Sequence, residues 1–130
     1  MVFLRRSQRG QALAEFALIL PLLLLLVFGI IEFGRIFYSY LMVTQAAREG
    51  ARLGAVGGSD QEIVALVRDV AVGLDENRIK VDIDPVEDQR SRGDSLRVAV
   101  SYDLPLVAPI ITELLPNPFP LTAVATMRVE

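Results

Sequence analysis

Glu15 is the one charged side chain between Gln11 and Ile31, and it stands five residues after Gly10 at the mouth of an apolar run. A carboxylate there is costly to bury, and a segment serving only as an anchor would omit it. Two kinds of chemistry fit the spacing. A glycine closing a short basic leader (Arg5, Arg6, Arg9) suits peptide-bond cleavage after Gly10, which would give Gln11 a new α-amino group. The carboxylate of Glu15 suits pairing with a cationic partner, because an opposite charge within hydrogen-bond reach offsets much of the desolvation. Leu13, Phe16 and Ala17 offer it no partner on its own helix.

Other chemistry is poorly represented. The chain has no cysteine and no histidine, so there is no disulfide framework and none of the usual nucleophile and base combinations. A metal site would have to be built from carboxylates alone. Asp82, Asp84, Glu87, Asp88 and Asp94 are oxygen donors, but their spacing matches no EF-hand loop, and Arg90 and Arg92 interrupt it. A solvated hairpin loop is the expectation there. The net charge of −3 favours neither nucleic acid nor an acidic ligand. The expected role is therefore not enzymatic, with no cofactor and no metal.

The element that must position Gly10 and Glu15 is a membrane helix. Ala12 to Ile31 is twenty residues, which at about 1.5 Å each match a hydrocarbon core of roughly 30 Å. The large apolar residues from Leu18 to Ile31 contribute roughly −5 kcal/mol to insertion, against about +3 for an acidic residue at mid-span and less near an end. Insertion wins despite Glu15. The leader arginines put the N-terminus in the cytoplasm and the remainder outside. Pro21 lies inside the span and is expected to bend it. A secretory signal peptide fits poorly, because the apolar core is too long and Glu32-Phe33-Gly34-Arg35 does not resemble a cleavage site. An uncleaved signal anchor carrying an envelope binding or adaptor domain fits the hydropathy, but leaves the Gly10 to Glu15 spacing unexplained.

Beyond Glu32 the chain stays helix-permissive to about Ala55. Phe33, Phe37, Tyr38 and Tyr40 cluster where aromatic rings favour the interface. Ala46, Gly50 and Gly54 recur every four residues, as do Ala47, Ala51 and Ala55, leaving a flat helix face that another backbone can approach closely. That face serves either this protein's own sheet or a neighbouring subunit. Ser59 and Glu62 read as a capping box opening a short helix with Ile63, Val64, Leu66, Val67, Val70 and Leu74 on one face, stopping near Gly73. Alternation then marks strands at Ile79–Ile83, Leu96–Tyr102 and Leu121–Val129. The proline-rich connection from Pro105 to Pro120 carries one helical turn, Ile110 to Leu115, and is unusually apolar for a loop. Either it folds back on the core or it faces a partner or the membrane interface.

Gly10, Gln11, Glu15 and Phe16 together resemble the processing site of type IV prepilins, and most closely the Gly-x-x-x-x-Glu-Tyr pattern of Tad (Flp) pilins, with Phe16 in the tyrosine's place. Ala46-Ala47-Arg48-Glu49-Gly50-Ala51-Arg52 is similar to a block found in TadE-like proteins, and Ala123 to Glu130 resembles that family's closing strand. The resemblance implies a minor pilin or pseudopilin of a Tad/Flp-type pilus or secretion machine, matured by a prepilin peptidase. It implies the major Flp pilin, a TadF-like pseudopilin and the inner-membrane platform as partners. The expected fold is α+β: a leader over 1–10, a transmembrane helix over 11–31, a helical stem over 32–57, and a short helix with a small three-stranded antiparallel sheet over 58–130.

Overall fold

The computed structural model describes residues 3–130, with side chains from residue 8 onward. The side chains of Arg5 and Arg6 therefore lie outside the described residues. One helix, α1 (Phe3–Ala55), runs without interruption through the stretches expected as leader, span and stem, and it continues through Pro21. It ends in a Schellman motif. Gly57 takes φ 95, its N–H donates to the Gly54 carbonyl at 3.2 Å, and the Gly58 N–H donates to the Leu53 carbonyl at 2.9 Å. A glycine is needed there because the left-handed conformation penalises a Cβ.

Helix α2 (Asp60–Val70) opens with the expected capping box between Ser59 and Glu62. It closes at Val70 rather than near Gly73, with Ala71 as the C-cap. Leu74 thus lies beyond the helix, although it still packs against the core. The strands are β1 (Ile79–Asp84), β2 (Ser95–Leu104) and β3 (Phe119–Arg128), in the antiparallel order β1-β2-β3. The fold is α+β, a long apolar helix with a short helix and an open three-stranded sheet.

Register follows from burial. Val81 pairs with Val100 and Val100 with Ala123, while Ile79 pairs with Tyr102 and Tyr102 with Leu121. These positions share the face turned to the helices, and a one-residue slip would turn the whole set to solvent. The opposite face is polar, with an Arg97–Asp82 ion pair at 3.6 Å and a Ser101–Thr122 hydrogen bond at 3.3 Å. On α1, Ser39, Val43, Ala46, Ala47, Gly50, Ala51, Gly54 and Ala55 are buried. The spacing alternates between three and four residues, as one helix face requires. This stripe meets Ile63 and Val67 of α2 and Leu96, Val98 and Val100 of β2, all fully buried.

Candidate processing and assembly site

Gly10, Gln11, Glu15 and Phe16 lie on one exposed stretch of α1. A Cβ built on Gly10 would meet nothing within 4 Å, so neither packing nor a special backbone angle requires glycine there. Glu15 does have a partner in its own helix, contrary to the expectation above. The side-chain amide of Gln11 donates to Glu15 Oε1 at 3.1 Å, because residues four apart stack on one helix face. In the uncut chain a neutral amide thus holds the carboxylate, and it comes from the residue whose α-amino group a cut would free.

Ala47, Gly50, Ala51 and Gly54 lie some 50 Å further along the helix, at 1.5 Å per residue, so the two sets of candidate residues are not brought together. The small residues serve the protein's own fold. A Cβ on Gly50 would stand 3.0 Å from Val67 Cγ2, and one on Gly54 would stand 2.3 Å from Leu96 Cδ2 and 2.8 Å from Ile63 Cδ1. Backbone and sheet approach too closely there for a side chain. Arg48 and Arg52 are exposed beside this face, and Arg52 pairs with Glu49 at 2.9 Å.

Two polar positions carry more of the structure than their sequence context suggests. Glu32, the first charged residue after the span, is 1% exposed. Its Oε2 accepts the N–H groups of Val107 at 3.2 Å and Ala108 at 2.9 Å, and its Oε1 pairs with Arg35. Arg35 in turn donates to the Pro105 carbonyl at 3.1 Å. Charge-assisted bonds of this kind compensate the desolvation of a buried carboxylate. The signal in the sequence was positional: Glu32 falls seven residues before Ser39 and eleven before Val43, on the stripe that packs.

The β1–β2 hairpin loop is solvent-exposed at Glu87, Asp88, Ser91 and Arg92, as expected, with one exception in Arg90. Its side chain is 6% exposed, paired with Asp60 and donating to the Gly58 carbonyl at 3.0 Å. Asp60 also accepts from the Glu87 N–H at 3.1 Å. The β1–β2 loop is therefore clamped to the start of α2. Among the described residues no group of three or more acidic side chains could hold a metal ion.

These features define a class: a small α+β domain borne on one helix that is long and apolar enough to cross a membrane. Residues 10–52, about a third of the chain, match the family model described as TadE-like protein, so this stretch of α1 is similar to that family. No curated protein and no solved structure gives a significant match to the chain.

Proposed function

We propose that the chain is a TadE-like minor pilin, or pseudopilin, that acts in assembly of a Tad/Flp-type pilus or related secretion machine. The observation that carries this reading is the extent of the family match, which begins at Gly10 and runs through Glu15 to Arg52. In this reading a prepilin peptidase cuts after Gly10 at the cytoplasmic face, and the small domain lies outside the membrane. The new α-amino group of Gln11 on one subunit pairs with Glu15 of the next. That pairing replaces the neutral Gln11 amide on Glu15 by an ammonium, a stronger partner in an apolar setting. The major Flp pilin, a TadF-like pseudopilin and the inner-membrane platform are its partners, and its work is assembly rather than catalysis.

Intact mass and N-terminal sequencing of the membrane-extracted protein, with and without a co-expressed Tad-type prepilin peptidase, test this directly. The expected result is a peptidase-dependent start at Gln11 that Gly10→Val abolishes. Glu15→Gln is expected to leave processing intact while impairing incorporation. A chain that keeps its leader in the presence of the peptidase would instead indicate a signal-anchored adaptor.

A further inference from the structure

The connection between β2 and β3 is the most apolar exposed surface of the small domain. Val107 is 67% exposed, Ile110 54%, Leu114 70% and Leu115 39%. From Pro105 to Pro120, Glu113 is the only charged residue. The opposite end of the sheet, with Glu87, Asp88, Arg92 and Asp94, is polar.

The height of this surface along α1 is fixed by two contacts. Glu32 marks the end of the apolar stretch and holds the N–H groups of Val107 and Ala108. From there the chain runs not away from the span but along it. Helix α3 (Ile111–Leu114) lies beside α1, and Ile111 Cδ1 is 4.0 Å from where a Cβ on Gly29 would stand. Gly29 is three residues inside the apolar stretch, about 4.5 Å deeper than Glu32.

The backbone of this segment is also suited to a medium that offers few hydrogen bonds. The N–H groups of Ile111, Thr112, Glu113 and Leu115 donate to the carbonyls of Pro109, Ala108, Ile110 and Ile111, at 2.8 to 3.3 Å. Pro109, Pro116 and Pro118 have no N–H to satisfy. The Leu106 N–H donates to the side chain of Asn117 at 3.0 Å, which closes the loop at its base. Irregular backbone at membrane depth requires such internal satisfaction.

We propose that this loop, from Val107 to Leu115, is a second membrane contact. It seats in the lipid headgroup and acyl boundary of the leaflet through which α1 emerges, continuous with the surface of the span. The inference rests on α1 lying in a bilayer. The loop and the helix together then hold the small domain against the membrane in one orientation, where a helix alone would let it swing.

The chain has no cysteine, so single reporters can be introduced cleanly. Full-length protein in phosphatidylcholine vesicles would carry an environment-sensitive fluorophore at Leu114→Cys, with Val107→Cys as a second loop position. Leu22→Cys would report on the span and Arg92→Cys on the far end of the domain. The expected result is a blue-shifted Leu114 label, quenched by nitroxide placed shallow on the lipid chains and protected from aqueous iodide, with Val107 alike and Arg92 the reverse. Iodide quenching at both loop positions, with Leu22 quenched only from the lipid, would overturn the loop contact and leave the span intact. Iodide quenching at Leu22 would remove the span and the loop contact together. Disulfide-linked dimers through Leu114→Cys, without quenching from the lipid, would reassign the surface to contact between copies and overturn the proposal.

Discussion

Glu32 and Ala108 are 76 residues apart in the chain and joined by a 2.9 Å hydrogen bond, the Ala108 N–H donating to the Glu32 carboxylate. Through it the point where the helix leaves the apolar stretch is tied to the base of the proline-rich loop. Arg35 and the Val107 N–H complete the arrangement.

Removing that carboxylate strands two backbone donors and a guanidinium. Glu32→Ala is expected to cost about 3 kcal/mol, the range for breaking a buried hydrogen-bonded charge. Glu32→Gln, which keeps one acceptor, should lose less. Thermal unfolding in detergent micelles measures the loss, and limited proteolysis should show cleavage between 105 and 118 before the sheet unfolds. Unchanged stability in Glu32→Ala would show that the buried carboxylate is not the clamp.

The glycines of α1 are expected to respond with opposite signs. At Gly34 an added Cβ meets nothing within 4 Å, so Gly34→Ala gains helix propensity, about 1 kcal/mol. At Gly54 the same gain is outweighed. Leu96 and Ile63 are fully buried and cannot move aside freely, and overpacking costs about 1–3 kcal/mol. Gly54→Ala should lose about 1 kcal/mol and Gly54→Val more, while Gly50→Ala lies between Gly34 and Gly54. Midpoints of unfolding measured in the same detergent would give the order.

Arg90→Ala is expected to free the β1–β2 loop from α2 and to cost about 3 kcal/mol, because Asp60 and the Gly58 carbonyl lose a buried cation. Arg90→Lys should recover only part, since one ammonium cannot reproduce a planar fork of donors. Amide exchange at Glu87, whose N–H rests on Asp60, is the local probe. Slow exchange there in Arg90→Ala would contradict the clamp.

Features with a local code were readable from the chain. The Ser59 to Glu62 capping box depends on residues three apart, and the strands follow from alternation of Ile79, Val81 and Ile83 with Lys80, Asp82 and Asp84. The roles of Glu32 and Arg90 were not, because beyond the Glu32–Arg35 pair the groups that hold them are backbone atoms and an aspartate 30 or more residues distant. No local spacing records a carbonyl brought near by folding. The Glu15 contact does have a local code, since Gln11 lies four residues before it on the same helix face.

Because α1 is unbroken from Phe3 through Pro21 to Ala55, the molecule has a phase. Each residue between Phe16 and Ile31 turns the small domain by about 100° about the helix axis relative to Glu15 and displaces it by about 1.5 Å. One leucine inserted between Leu23 and Leu24 would leave both ends chemically intact and point the domain in another compass direction. Four would raise it by about 6 Å yet bring it back to within about 40° of its original bearing. If neighbours meet the domain side-on, the single insertion should disrupt assembly more than the fourfold one, although it changes the length less.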